Sequence, residues 1–307
     1  MPIRLDSLDD LATRPGPLHL ALGVFDGVHA GHQAVISRAV EAAREDGGQA
    51  FVVTFSPHPI RVIAPAKAPA SLLATLDEKA AVVKSLGVDG VLVIRFDADF
   101  ARMAAEEFVG KICAGNVASI AVGEDWRFGS KRSGDVDMLR RMGADLGFRL
   151  EAVAPVMWDG ERISSTRIRQ AIRDGNFDAV EKMLGRPYEV SGKVIEGRKL
   201  GRELGFPTAN LRLGDLQTPK DGVWVVEVDG KHRGVANLGM RPTVGGDEKL
   251  LEVHLFDFSG DLYGKTLRVK FLRHIRDERK FASLDELKEQ IAKDAAEAKE
   301  WRHYGAR

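Results

Sequence analysis

The stretch Gly23-Val-Phe-Asp-Gly-Val-His-Ala-Gly-His32 constrains this chain more than any other. It follows the apolar run Leu18 to Leu22, which reads as a buried strand. It precedes a segment whose Val35, Ala39, Ala42 and Ala43 mark one face of a helix. At a strand-to-helix junction of this kind, the helix start offers unpaired N–H groups and the positive end of its dipole to a phosphate chain. His29 and His32, three apart among small residues, can point together at that mouth. By itself a His-x-x-His pair is more often two surface side chains or a partial metal site, so the rest of the chain must supply the context.

That context begins with alternation. Strands are expected at Leu18–Phe25, Ala50–Phe55, Gly90–Phe96, Ser119–Val122 and Phe148–Val156. Helical patterns lie between them at Gln33–Arg44, Asp77–Leu86, Phe100–Cys113 and Val136–Leu146. Short apolar strands alternating with helices predict a parallel, doubly wound α/β sheet, with ligands at the carboxyl ends of its strands. Phe25–His32, Ser56–Pro59 and Gly123–Gly129 all fall at such ends. Two further helices, Thr166–Arg173 and Phe177–Leu184, close this part, and Ala64–Ala70 reads as a Pro/Ala-rich loop.

From Tyr188 the pattern changes to strands joined by turns, which predicts a small antiparallel barrel. Trp224–Val228 runs into Asp229-Gly230, a pair that tolerates the positive φ angles of a type I′ hairpin turn. Leu251–Phe256 and Thr266–Leu272, flanking Ser259-Gly260-Asp261, read as a second hairpin. Ser283 to Trp301 reads as a terminal amphipathic helix, with Ser283 as N-cap and Glu286 three residues on. The boundary is expected near Gly185-Arg186-Pro187, giving domains 1–186 and 187–307. Gly260 to Thr266 is one residue short of the pattern GxxxxGK[ST] and leads into a strand, so it is read as a connection rather than a phosphate loop.

Composition narrows the class. The chain has 307 residues, which suits two domains. Lys plus Arg and Asp plus Glu both number 45, leaving no basic excess to recruit nucleic acid or an anionic membrane. Cys113 is the sole cysteine, so no intrachain disulfide can form; it is read as a small core residue. There is no secretory pattern in Met1 to Leu11 and no run near the ~20 apolar residues of a membrane span. The expectation is a cytoplasmic enzyme with neither nucleic acid nor membrane as partner; its oligomeric state is left open.

Four more strings carry chemistry. Phe55-Ser56-Pro57-His58-Pro59 ends the second strand, and Gly123-Glu-Asp125-Trp-Arg-Phe-Gly129 follows a later one. Ile163-Ser164-Ser165-Thr166-Arg-Ile-Arg169 sets hydroxyls before a helical pattern, where they can cap it and present N–H groups to phosphate, with Arg169 one turn inside. In the second half, Gly192, Gly197 and Gly201 precede Gly205-Phe-Pro-Thr208-Ala-Asn210-Leu211. Alternation along Leu251-Glu252-Val253-His254-Leu255 turns Glu252 and His254 away from the core face.

Together these strings resemble, in order, the signatures of the bacterial bifunctional riboflavin kinase/FAD synthetase family. The first half resembles an HxGH nucleotidyltransferase of Rossmann-like fold, and Gly201–Leu211 resembles the riboflavin kinase signature. The resemblance implies two reactions: ATP phosphorylates riboflavin to FMN, and ATP then adenylylates FMN to FAD with release of pyrophosphate. It implies His29 and His32 as catalytic groups on the triphosphate, with Gly23, Phe25, Asp26, Gly31, Asp125, Ser164, Ser165, Thr166 and Arg169 around the nucleotide. In the barrel it implies Glu252 as catalytic base and Gly192, Gly197, Gly201, Thr208 and Asn210 around ATP. Thr208 and Asn210 match the residues that help to hold Mg²⁺, and their oxygens suit a hard cation. His58, with Arg276 and Glu278 in Ile275-Arg-Asp-Glu-Arg-Lys-Phe281, is expected near the flavin. Mg²⁺ with ATP as co-substrate is the implied cofactor, without a resident prosthetic group; riboflavin, FMN, FAD and client apoflavoproteins are the implied partners.

Two other readings compete: a nucleotidyltransferase of another phosphoester with a non-catalytic barrel, and a flavin-sensing protein with relict sites. A sensor should have lost a histidine or the barrel glutamate, and His29, His32 and Glu252 are all present.

Overall fold

The computed structural model describes residues 3–69, 71–197, 200–243 and 246–301; Ala70, the end of the expected Pro/Ala loop, lies outside them. The chain forms two compact units, Met1–Arg167 with Met183–Gly185, and Ile168–Lys182 with Arg186–Arg307.

In the first unit, the chain runs β1 (Ile3–Leu5), α1 (Leu8–Ala12), β2 (Leu18–Leu22), α2 (Ala30–Asp46), β3 (Gln49–Ser56), α3 (Pro59–Ile63) and α4 (Leu76–Ser85). It continues through β4 (Gly90–Arg95), α5 (Ala105–Ile112), β5 (Val117–Gly123), α6 (Val136–Leu146), β6 (Arg149–Val153) and a two-stranded ribbon, β7 (Met157–Trp158) and β8 (Glu161–Arg162). Six strands lie in the order β1-β4-β3-β2-β5-β6, all parallel, as the alternation predicts. Side chains alternate across the sheet. Leu18, Leu20, Leu22, Phe51, Val53 and Phe55 pack on one face with α5 and α6, while Ala21, Val52, Val91 and Val93 pack on the other with α2. The strand order reverses between β2 and β5, and a crevice outside the carboxyl ends at such a reversal is where doubly wound sheets bind ligands.

Three local expectations change. The edge strand β1 and helix α1 were not read from the sequence; α1 is set by a reciprocal cap between Ser7 and Asp10. The single helix expected over Phe100–Cys113 is a 3₁₀ turn at Phe100–Arg102 followed by α5. The Met103 carbonyl accepts from the Ser130 N–H at 2.8 Å, while the Phe100 ring sits among Phe55, Phe96 and Phe108. That packing and that bond hold the break open. Finally, α2 begins earlier than the apolar pattern suggests, so His32 lies in its first turn.

The elements that follow are α7 (Ser165–Arg173), α8 (Phe177–Leu184), β9 (Glu189–Ile195), α9 (Leu200–Glu203), β10 (Ala209–Arg212), β11 (Gly222–Val228), β12 (His232–Thr243), β13 (Gly246–Leu255), β14 (Thr266–Arg276) and α10 (Leu284–Glu300). The strands of the second unit close into a barrel, β10-β13-β12-β11-β14-β9, every neighbouring pair antiparallel. Asp229 and Gly230 carry φ of 51° and 65°, the left-handed values the predicted β11–β12 turn requires. The hairpin expected between Leu251–Phe256 and Thr266–Leu272 does not form. Strand β13 is already paired with β12 and β10, so closure sends β14 to pair with β11 and β9. Trp224 is buried, with Phe271 and Phe177 edge-on to its ring. Val223 and Val225, on the opposite face of β11, pack on Ala295 and Ala298 of α10. Ser283 caps α10 by accepting from the Glu286 N–H, worth about 1 kcal/mol.

Gly90 begins β4 directly against Phe51: a Cβ there would lie 2.7 Å from the ring's Cδ1 and 2.9 Å from the Ile3 carbonyl. Gly90→Ala should destabilise the first unit by about 1–3 kcal/mol, read as a lower urea midpoint at an unchanged slope.

Candidate functional site

The turn after β2 is compressed by design of its residue types. Phe25, Gly27 and Val28 all take positive φ (51°, 79° and 42°). A Cβ at Gly23 would fall 2.9 Å from the Phe25 ring, so glycine is what lets that ring fold back over the strand end. Likewise a Cβ at Gly31 would stand 3.2 Å from the His29 ring. His29 is therefore free to lie along the helix start as the N-cap of α2, its Nδ1 accepting from the His32 N–H at 3.3 Å. The two imidazoles stack with centroids 3.5 Å apart, and the Phe25 ring stands edge-on to His32 at 5.3 Å.

Burial pushes the His32 pKa well below the usual histidine value, and His29, Lys79 and Arg162 add like-charge repulsion. Its Nδ1 is enclosed with no hydrogen-bond partner among the described residues. Because His29 Nδ1 accepts, the ring proton lies on Nε2.

Asp26 is buried, its Oδ1 accepting from the Leu73 N–H at 3.0 Å. Its carbonyl accepts from the Ser165 hydroxyl at 3.0 Å, which ties the start of α7 to the His turn. Ser164 caps α7 by accepting from the Arg167 N–H at 3.3 Å; Thr166 is exposed. Arg169 is buried one turn into the helix and groups with the second unit.

His58 caps α3, with its Nδ1 3.3 Å from the Ile60 N–H. It lines a cavity of about 170 Å³ together with Val24, Asp26, Phe55, Arg61 and Lys79. The strand winding thus brings His58 to the same cavity as Asp26. Asp125 makes a two-pronged contact with Arg162, whose second nitrogen stands 3.1 Å from Oδ1; the guanidinium holds that carboxyl below the usual carboxylate range.

Lys79, Arg61 and Arg162 were missed by the sequence reading. A signal for Lys79 was available, since it falls four residues before Val83 on the buried face of α4, behind the Thr75/Glu78 capping box.

In the barrel, register assembles the predicted group. Glu252 on β13 lies directly opposite Asn210 on β10 and Asn237 on β12. Facing residues of this kind have Cβ atoms about 4.5–5.5 Å apart. Gly197 packs on the Asn210 side chain, where a Cβ would be 2.8 Å from Cγ. Gly201 does the same for Thr208, where a Cβ would be 3.2 Å from Oγ1. Gly192 instead makes barrel-wall contacts, with Leu211, Leu213 and the Arg212 carbonyl.

Arg241, another residue the sequence reading missed, reaches both Glu252 (Nε to Oε1, 3.5 Å) and Glu278 (3.0 Å). Glu278 also accepts from Asn237 Nδ2 at 3.1 Å and seats against Gly239. Arg276 is drawn away from this group: its guanidinium grips buried Asp294 of α10 through bonds of 2.7–3.1 Å and packs on Phe281. The structure thus joins Glu278 to Glu252 and gives Arg276 to the terminal helix.

The model of the FAD synthetase family matches residues 12–167, and that of the riboflavin kinase family matches residues 184–302. A bifunctional riboflavin kinase/FMN adenylyltransferase from Pseudomonas fluorescens is 45% identical over 91% of each chain. That of Escherichia coli K12 is 44% identical over 92% of each. The chain belongs to the bifunctional riboflavin kinase/FMN adenylyltransferase family. A solved Streptococcus pneumoniae structure, called a macrolide-efflux protein, is similar over 98% of this chain and 99% of its own, with 36% identity and a TM-score of 0.84.

As a member of that family the chain is a two-activity transferase, and its barrel offers a separable test. In Gly197→Ala the new methyl collides with the end of a side chain, so Asn210 should swing away while the fold survives. Riboflavin phosphorylation should fall at least about tenfold with the melting temperature within a few degrees of wild type, whereas adenylylation of supplied FMN should be unchanged.

Proposed function

We propose that the two activities divide between the two parts of the chain: adenylyl transfer to FMN in residues 1–186 and phosphorylation of riboflavin in residues 187–307. The single observation that carries the first assignment is the stacked His29/His32 pair at the start of α2, with His29 buried. When a phosphate oxygen of FMN attacks the α-phosphorus of ATP, the bond from that phosphorus to the α,β-bridging oxygen breaks and pyrophosphate leaves with the electron pair. Negative charge gathers on phosphoryl oxygens, and the protein's task is to position and neutralise it. His29 presents its Nε2–H, the first N–H groups of α2 add their dipoles, and the Ser164 cap with the Ser165–Asp26 bond orients α7 for the departing phosphates. Thr166 and Arg169 complete that phosphate-holding group, with Asp125 near the adenylate and His58 near the flavin.

In the barrel, Glu252 is the base. It takes the proton of riboflavin's terminal ribityl hydroxyl as that oxygen attacks the γ-phosphorus of ATP and ADP leaves. The supporting observation is its pairing with Asn210, one of two oxygen donors held by close glycines. Among the described residues there is no cluster of three or more histidine, cysteine or carboxylate side chains that could hold a metal ion. The donors present fit Mg²⁺ nonetheless, because that ion takes one or two protein oxygens and completes its shell with phosphates and water. Thr208 and Asn210 would hold it, and once bound it neutralises phosphate charge. Glu278 is assigned to the flavin, a reading supported by its link to Glu252 through Arg241; Arg276 holds that segment to α10.

Purified protein given riboflavin, ATP and Mg²⁺ should yield FMN and then FAD on chromatography. His29→Ala should cut FAD formation from FMN by at least about a hundredfold while sparing FMN formation. Glu252→Ala should do the reverse. Equal loss of both steps in either variant would contradict the division.

A further inference from the structure

Lys79 is one of the few charged side chains buried in the first unit, and the proposed mechanism has not used it. It projects from α4 to the carboxyl ends of β2 and β3, where its Nζ donates to the Val24 carbonyl at 2.7 Å and to Thr54 Oγ1 at 3.2 Å. Thr54 itself donates to the same carbonyl at 2.9 Å. An ammonium has three N–H donors, so two are spent on fixing the strand ends. The side chain also lines the 170 Å³ cavity that opens beside the His turn.

A buried cation is costly unless something nearby offsets it, and a structural anchor on a carbonyl needs only a neutral amide or a hydroxyl. The cavity contains one carboxylate, Asp26, and that carboxylate already accepts from the Leu73 N–H. Facing it are Lys79 from α4 and His58 and Arg61 from the β3–α3 end. Lys79 also lies near enough to His32, as do His29 and Arg162, to disfavour a charge on that ring. The balance is cationic in a small, partly apolar space.

We infer that Lys79 is a phosphate-holding residue of the adenylyl-transfer site, using its charge to retain a phosphate group of the incoming substrates in the cavity beside His29 and His32. The inference rests on the proposed placement of that reaction. Its two phosphate sources, the phosphomonoester of FMN and the triphosphate of ATP, share the same chemistry. Burial lowers the Lys79 pKa to about 8, with Asp26 opposing the shift. Above that pH the amine can still donate hydrogen bonds but has lost its charge, so phosphate retention should weaken as pH rises through about 8.

The test measures FAD formation from supplied FMN between pH 6.5 and 9.5 for wild type, Lys79→Met and Lys79→Arg. Riboflavin, which lacks the phosphate, serves as a competitor in the same proteins carrying Glu252→Ala, which should leave it unphosphorylated, and riboflavin phosphorylation by the forms that keep Glu252 reports that the chain is folded. In wild type, KM for one phosphate substrate should rise about tenfold across pH 8 to 9.5, and whether FMN or ATP shows the rise identifies the source. Lys79→Met should carry the high KM at every pH with no alkaline limb. Lys79→Arg, which keeps its charge throughout this range, should restore a low KM and hold it above pH 8. Riboflavin inhibition should not change.

An unchanged KM in Lys79→Met for both substrates would overturn the inference, as would equal weakening of riboflavin. Should Lys79→Arg fail to fold, the comparison of wild type with Lys79→Met still decides. If wild type formed no FAD, the functional assignment itself would fail, a result distinct from a Lys79 variant that behaves like wild type.

Discussion

The crowding at the carboxyl end of β2 sets the terms for the rest of the first unit. Three successive departures into positive φ fold the chain back on itself, and glycine at 23 and 31 removes the two methyl groups that would block the Phe25 and His29 rings. The result is an imidazole pair stacked at the start of a helix, with Phe25 edge-on to His32, whose ring is kept uncharged by burial and by neighbouring positive groups. A protonated pair at 3.5 Å would repel itself and would also spend its charge before the reaction needed it. An uncharged His32 ring is instead suited to the phosphoryl chemistry proposed for this site, where charge develops on oxygen. Asp26 extends this order outward, since its backbone carbonyl holds Ser165 and its carboxylate holds Leu73.

The barrel solves a similar problem with different means. Closure leaves every strand with two partners, so the register of β10, β13 and β12 is fixed and Glu252 must lie between Asn210 and Asn237. No loop has to find that arrangement. Arg241 then ties Glu252 to Glu278, linking a strand carboxylate to the segment that follows β14, while Arg276 anchors the same segment to α10 through Asp294. Close-approach glycines recur here: Gly197 and Gly201 shape the Asn210 and Thr208 side chains as Gly31 shapes His29.

Much of this was legible in the sequence, for reasons that differ by element. The α/β alternation and the Asp229-Gly230 turn follow from local physics, and both appear in the structure. The apolar alternation of Leu251, Val253 and Leu255 correctly turned Glu252 off the core face. What failed was partner choice. The strands now seen as β13 and β14 are neighbours in sequence, and only the demand of closure, a property of all six strands, separates them. The break at Met103 was likewise invisible because it depends on a bond from Ser130, far along the chain. Lys79, Arg61, Arg162 and Arg241 carry no motif of their own; each takes its meaning from groups brought near it by folding.

The central physical claim, that the His turn holds an uncharged imidazole where phosphate chemistry is proposed, can be read directly by nitrogen-edited NMR of histidine-labelled protein titrated from pH 8 to pH 5. An imidazole in water is mostly protonated at pH 6. The account predicts that His32, assigned by its loss in His32→Gln, keeps neutral-ring nitrogen shifts at pH 6. A His32 titration centred near 6.5 would contradict it.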